Sequence, residues 1–193
     1  LRADLICEES ICDTRIIDFG IRKIDWSAED GLRINGEEIK LKGACIHHDN
    51  GPVGACEFEG LAYRRIKLLK EIGYNAIRSA HNPISKALLR ACDELGMYVM
   101  DELTDIWMIP NTPYDYGLYF HQEWKKDLKL MVEKDYNHPS VIMYSSGNEI
   151  HDINYKEGAE IQKQLVKSFH QLDGSRPVTN CINVLAAMVK PKD

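Results

Sequence analysis

From Leu41 onward, short apolar runs alternate with amphipathic helical stretches, and this alternation constrains the chain more than any other feature. Strands separated by helices lie parallel, because a hairpin cannot join parallel neighbours, and a parallel sheet needs helices to cover it. The pattern predicts strands at about Ile39–Ile46, Asn75–Arg78, Met97–Met100, Val141–Tyr144 and Val178–Asn180. Between them it predicts helices with apolar positions at helical spacing. One runs from Leu61 to Ile72 and stops at Gly73; the next opens with Asn82 as N-cap and Pro83 in the first turn and ends at Gly96. A third carries Trp124, Leu128, Met131 and Val132 on one face and stops at Asn137-His138-Pro139. A fourth, from about Glu157 to Leu172, turns Ile161, Leu165, Phe169 and Leu172 inward. Ahead of all this, residues 1 to about 30 read as strand, and Asn35-Gly36 between two short alternating runs (Leu32 to Leu41) is a hairpin signal.

Two sheet architectures fit such a pattern, a doubly wound sheet and a (β/α)8 barrel. No GxGxxG or GxxxxGK[ST] follows any strand, so the nucleotide-binding doubly wound folds lose their main support. A complete barrel takes about 250 residues, and one that starts near Ile39 would close roughly 100 residues beyond Asp193. The expected fold class is therefore α/β: a truncated TIM barrel of about five βα units. The chain opens mid-pattern at Leu1, which reads as an excised piece of something longer.

Of the 193 residues, 44% are apolar and 28% charged, enough for a packed core. Disordered tails, collagen-like or coiled-coil rods and small disulfide scaffolds are excluded. No run approaches the roughly 18–20 apolar residues of a membrane span. A net charge of −6 offers no basic face for nucleic acid or anionic membrane and leans toward neutral substrates. The six cysteines form no CxxC pair and read as mostly buried, reduced thiols. That favours the cytoplasm, with periplasm or secretion open if an upstream signal peptide was removed.

The conspicuous polar residues gather at the C-terminal ends of the predicted strands. His47, His48 and Asp49 follow the first, Arg78 and His81 the second, Asp101 and Glu102 the third, Asn148 and Glu149 the fourth. Taken singly, each is a turn residue, a helix-terminal charge or a salt-bridge partner. In a barrel, however, those four ends converge on the face where active sites are built. The three histidines lack the spacing of a zinc motif. Two or more carboxylates, an Asn, an Arg and an aromatic loop (Trp107, Tyr114, Tyr116, Tyr119) suit sugar hydrolysis, where one acid protonates the leaving oxygen and a second carboxylate attacks or activates water.

Four segments carry a resemblance: Leu41-Lys42-Gly43-Ala44-Cys45-Ile46-His47-His48-Asp49-Asn50-Gly51-Pro52, Asn75-Ala76-Ile77-Arg78-Ser79-Ala80-His81-Asn82-Pro83, Val99-Met100-Asp101-Glu102 and Asn137 through Glu149. They resemble glycoside hydrolase family 2, the β-galactosidase and β-glucuronidase family, over about Phe19 to Val178. The resemblance implies that 1–30 are the last strands of an immunoglobulin-like domain, with Phe19-Gly20-Ile21-Arg22 its final strand, and that 31–193 begin the catalytic barrel. It implies Glu149 as general acid/base, Asn148 on the sugar 2-hydroxyl, and Arg78 orienting the nucleophile. His47, Asp49, His81, Asp101, Glu102 and Trp107 are implied as sugar contacts, with Asp101 the residue that would turn into the barrel wall. The acid must keep its proton near neutral pH, which partial burial would favour.

The resemblance further implies a retaining mechanism with β-galactosides as substrates, β-glucuronides or β-mannosides as alternatives, and a homo-oligomeric parent. A non-catalytic carbohydrate-binding barrel is the rival from another class. Two departures stand out. Bacterial β-galactosidases hold magnesium through a Glu and a His shortly after the strand-three pair, and Asp105-Ile106-Trp107-Met108 supplies neither. The family's nucleophilic Glu lies on strand seven, so the chain alone is expected to be inactive.

Overall fold

The computed structural model describes residues 1–183. β1 (Arg2–Cys7) and β2 (Ser10–Ile16) pair as an antiparallel hairpin with every residue exposed. β3 (Ile24–Ser27), β4 (Gly31–Ile34) and β5 (Glu37–Glu38) form a separate three-stranded antiparallel sheet. Its second turn is the anticipated Asn35-Gly36, where φ angles of 54° and 86° meet the requirement of a tight hairpin for two left-handed residues. This sheet straddles the boundary expected at residue 30. Phe19–Arg22 joins no ladder; instead Arg22 Nη2 donates to the Val141 carbonyl at 2.6 Å, stitching the segment to the larger sheet.

That larger sheet is parallel and contains β6 (Gly43–Ile46), β7 (Ala76–Ser79), β8 (Tyr98–Glu102), β9 (Val141–Asn148) and β10 (Val178–Cys181), ordered β10-β9-β8-β7-β6. The helices between them are α1 (Glu59–Glu71), α2 (Lys86–Leu95), α3 (Gly117–Asp135) and α4 (Lys156–Leu172). Each predicted unit is present, and three of the boundary shifts have a visible cause. β6 begins four residues later than expected because the Ile39 amide is taken by the Leu32 carbonyl of the hairpin. α2 begins at Lys86, since Ser85 Oγ rather than Asn82 accepts the capping bond, from the Leu88 amide at 3.1 Å. β9 extends past its apolar run because the small residues Ser145, Ser146 and Gly147 continue the ladder while fully covered.

Alternation along the strands gives the sheet two faces. Ile77, Val99, Val141 and Tyr144 face the helices and pack with Leu88, Leu89, Leu128, Leu165 and Phe169 in one core. Each such buried side chain contributes about 1.5–3 kcal/mol. Tyr144 stacks on Phe169 at 5.0 Å, and Phe120 stacks between Trp107 and Trp124. On the other face, Cys45, Arg78, Met100 and Met143 line up across the strands around an apolar hollow of about 210 Å³. The strands' C-terminal ends rise above it.

All six cysteines are free, but the expectation that most are buried is wrong: Cys92 alone is fully buried, and Cys7, Cys12, Cys45 and Cys56 are exposed. The last two belong to β6 and the loop after it, which carry few covering groups. Among the described residues, no helix is long and apolar enough to cross a membrane.

Candidate active site

The rim is assembled from the loops that leave β6, β7, β8 and β9. Its focus is Asn148-Glu149. Asn148 ends β9 at 6% exposure, and Glu149 takes φ 51°, a left-handed conformation uncommon for residues other than glycine. Three contacts enforce it. The Asn148 amide donates to the Thr104 carbonyl at 3.0 Å, and the Glu149 amide to the Cys181 carbonyl at 2.7 Å. Ile150 is buried behind the turn. Ile150 can sit there because residue 147 is glycine: a β carbon would lie 2.6 Å from Ile150 Cγ1. The turn presents the Glu149 side chain to solvent rather than burying it in part, because β9 ends here and the chain leaves the sheet. Non-glycine residues held in this backbone region cluster at functional sites.

Arg78, on β7, reaches across to this turn. Its Nη2 donates to Asn148 Oδ1 at 2.8 Å and lies 3.7 Å from Glu102 Oε1. Glu102 is fully buried, and its Oε2 accepts from Ser145 Oγ at 2.7 Å. Ser145 Oγ is also 3.5 Å from Cys181 Sγ. Burial pushes the Cys181 thiol up, and the Glu102 charge adds to the effect. Arg78 Nε and Glu102 Oε1 are buried without a hydrogen-bond partner among the described residues.

On the opposite side of the rim, the His47 and His81 rings meet edge to face with centroids 5.1 Å apart. His81 Nδ1 is 3.5 Å from Asp105 Oδ2. The Ala80–His81 peptide bond is cis. Arg65 on α1 braces the loop after β6, donating to the backbone carbonyls of His47 and Asp49 and to Asn50 Oδ1. Asp49 is exposed, and its Oδ1 accepts from the Gly51 amide at 3.0 Å. From His81 a cleft of about 510 Å³ runs outward along α3, with Asp105, Tyr116, Asp127 and Lys134 in its walls.

The structure thus brings together Arg78, Asn148, Glu149 and Glu102, and separately His47, His81 and Asp105. Three expected sugar contacts are corrected by burial. Asp101 is fully covered on the helix side of β8: its Oδ1 accepts from the Ile84 and Glu102 amides and its Oδ2 pairs with Lys134 Nζ at 3.0 Å. Glu102 turns to the opposite face, as alternation demands, but is equally covered. Trp107 has no exposed surface; it stacks on Phe120 and donates from Nε1 to the Ser146 carbonyl at 3.3 Å, so it supports the β9 turn from below. Ser145, Thr104 and Cys181 were not singled out by sequence. The small polar run Ser145-Ser146-Gly147 inside an apolar strand was the available signal for the first.

The donors for a magnesium ion do not fit. Asp105 is engaged with His81, and the described residues hold no group of three His, Cys, Asp or Glu side chains able to bind a metal ion.

A parallel βα sheet with its polar groups at the C-terminal strand ends is common to TIM-barrel and doubly wound enzymes. Residues 28–191 match the family described as glycosyl hydrolases family 2, TIM barrel domain. The chain belongs to glycoside hydrolase family 2. It is 36% identical to a β-galactosidase of Bacteroides ovatus, over 89% of this chain and 24% of that protein. Among solved structures, a family 2 member from Bacteroides cellulosilyticus superposes with a TM-score of 0.89 at 47% identity, over 96% of this chain and 24% of that one. A β-D-glucuronidase of Dictyoglomus thermophilum gives 0.82 at 25% identity, over 96% and 33%. The chain therefore spans about a quarter to a third of the length of these three relatives.

Proposed function

We propose that this chain is the first part of the catalytic barrel of a retaining β-glycosidase that removes terminal β-D-galactose. Residues 1–30 then close a preceding immunoglobulin-like sandwich and 31–193 begin the barrel with five of eight βα units, the β3–β5 sheet spanning the join and the last ten residues lying outside the described part. The observation that carries the reading is the Asn148-Glu149 turn: a solvent-facing carboxyl group in an enforced left-handed conformation, beside an amide already fixed by an arginine.

In this reading Glu149 gives its proton to the glycosidic oxygen as the bond from the anomeric carbon breaks. A carboxylate from a later strand attacks that carbon from the other side and forms a glycosyl-enzyme ester. Glu149, now ionised, takes a proton from the water that hydrolyses the ester, and configuration is retained. Asn148 Nδ2 donates to the sugar 2-hydroxyl. His47, His81 and Asp49 stand at the rim where further hydroxyls would lie. The buried donor Arg78 Nε is available to the attacking carboxylate.

A neutral sugar is favoured over a uronic acid by what the rim's arginines already do. Among the described rim residues, Arg65 is committed to loop carbonyls, and Arg78 to Asn148, Glu102 and, through Nε, the attacking carboxylate, so neither is left for a sugar carboxylate. The full-length protein should be assayed on aryl β-D-galactosides, β-D-glucuronides and β-D-mannosides, with product anomers followed by proton NMR. Galactoside turnover with retention is expected, and preference for the glucuronide would overturn the choice of sugar. Glu149→Gln should slow alkyl galactosides by about 10²–10⁴-fold and spare dinitrophenyl galactoside, whose leaving group needs no proton. Equal loss on both would remove Glu149 from the acid role.

A further inference from the structure

Glu102 is fully buried and faces the inner side of the sheet, where a charge is costly unless it holds something. What it holds can be read from the polarity of its neighbours. Ser145 Oγ donates to Oε2 at 2.7 Å, and Oε1 lies 3.7 Å from Arg78 Nη2. The same Nη2 donates to Asn148 Oδ1 at 2.8 Å. A guanidinium only donates and an ionised carboxylate only accepts, so this chain of contacts has a single direction. A carboxamide turned with its oxygen toward Arg78 must direct both amide hydrogens the other way. Rotated by 180°, it would set its NH₂ against the guanidinium and offer an acceptor where a donor is needed.

We propose that Glu102 is a positioning residue: its charge keeps the Arg78 guanidinium beside Asn148, and Arg78 in turn fixes the amide so that Nδ2 faces the sugar 2-hydroxyl. Ser145 is the outer support of the same relay, since its hydroxyl settles which Glu102 oxygen faces Arg78. The inference rests on the glycosidase reading above and deepens it. Glu102 touches no substrate, which agrees with its complete burial; it meets Arg78 at Nη2, the nitrogen that faces Asn148, and not at the Nε left for the attacking carboxylate, so its influence falls on one hydroxyl of the sugar.

The test uses the full-length protein and two aryl galactosides that differ only in the 2-hydroxyl. Glu102→Gln is expected to lower kcat/KM by roughly 10- to 100-fold on the 2-hydroxy substrate, the worth of one charge-assisted hydrogen bond, and by less than about 3-fold on the 2-deoxy substrate. Asn148→Ala should show the same split, and the Glu102→Gln, Asn148→Ala double variant should lose no more than Asn148→Ala alone. Should Glu102→Gln fail to fold, Ser145→Ala, which keeps the charge and loosens its support, should give the same split at a few-fold. Equal losses on the two substrates, in either variant, would overturn the positioning role in favour of a general structural one. Failure of the wild-type protein to hydrolyse either galactoside would instead overturn the β-galactosidase reading on which this inference rests.

Discussion

Two arginines attend the opposite ends of β9, and they differ in how completely they are bonded. Arg176, at the foot, donates from Nε to the Val141 carbonyl at 2.8 Å and from Nη2 to the carbonyls of Asp135, Tyr136 and His138. Its Nη1 pairs with Asp173, and the guanidinium lies over the Tyr144 ring. Arg78, at the top, uses Nη2 on Asn148, and its Nε is buried without a partner among the described residues. Saturation marks a clamp, whereas a buried donor left over marks a place where something else is to bind. The ends of one strand thus divide into a structural pole and a chemical one.

The largest expected effect comes from breaking the clamp. Arg176→Ala leaves the Asp173 carboxylate buried and unpaired and should cost about 3–5 kcal/mol of stability. Arg78→Ala also leaves a buried carboxylate, Glu102, without its cation, but it gives up one hydrogen bond where Arg176→Ala gives up several and Ser145 still donates to Glu102, so it should cost less, about 2–3 kcal/mol. On hydrolysis by the full-length protein the order should reverse, with Arg78→Ala losing more than about 100-fold while folded. Urea midpoints beside turnover numbers read both quantities. Comparable destabilisation by the two variants would erase the distinction between the poles. Acid sharpens it further: burial pushes the Asp173 carboxyl up, but donors from Ser175 and Arg176 outweigh this and hold it below its usual range. The clamp's contribution is thus present above the ordinary carboxylate range and is lost as pH falls below it.

A second contrast lies across β8. Asp101 faces the helices and pairs with Lys134, while Glu102 faces inward and meets Arg78. Behind Asp101, burial and then the Asp101 charge push the Asp135 carboxyl up to about 9. Burial works to lower Lys134, yet Asp101 and Asp135 hold it above its usual value. The three groups therefore amount to one ion pair and one protonated acid at neutral pH. The folded state binds a proton at Asp135 that the unfolded chain releases near pH 4, so stability falls as pH rises between those limits. Asp135→Asn mimics the protonated acid and should flatten that slope, leaving the variant more stable than wild type at pH 8 by an excess that shrinks as pH falls to 5. Thermal melts across that range would show it; an unchanged slope would mean that Asp135 is ionised throughout.

Which parts of this were legible beforehand follows from the range of the interactions. The βα alternation, the Asn35-Gly36 turn and the polar strand ends are local patterns, written in a few consecutive residues. The sides taken by Asp101 and Glu102 are not. Alternation sends neighbours to opposite faces, but which face holds which residue depends on pairing with β7 and β9, and the register shifts between Val99 and Met100. Trp107 reads as a sugar platform because aromatic loops often are; its burial depends on Phe120, thirteen residues on, and on the Ser146 carbonyl of another strand. Ser85 displaces Asn82 as the cap of α2 because the chain after Pro83 stays extended, with the Ile84 amide held by Asp101.

The smallest effect concerns Glu149, where the strand-end turn and the proposed chemistry make opposing demands. Its φ of 51° is one that L side chains avoid, at a cost of roughly 1–2 kcal/mol, while glycine adopts it freely. Glu149 is exposed, so removing its side chain gives up little packing. Glu149→Gly should therefore be more stable than wild type, by up to about 1 kcal/mol once the greater freedom of glycine in the unfolded chain is counted. Stability gained by deleting a residue from an active site is what a conformation selected for chemistry predicts. Glu149→Ala serves as the control, since it loses the carboxyl but keeps the β carbon and should gain nothing. A urea midpoint for Glu149→Gly at or below that of Glu149→Ala would show that the left-handed turn carries no strain, and that the sharp exit from β9 is a property of the backbone bonds to Thr104 and Cys181 alone.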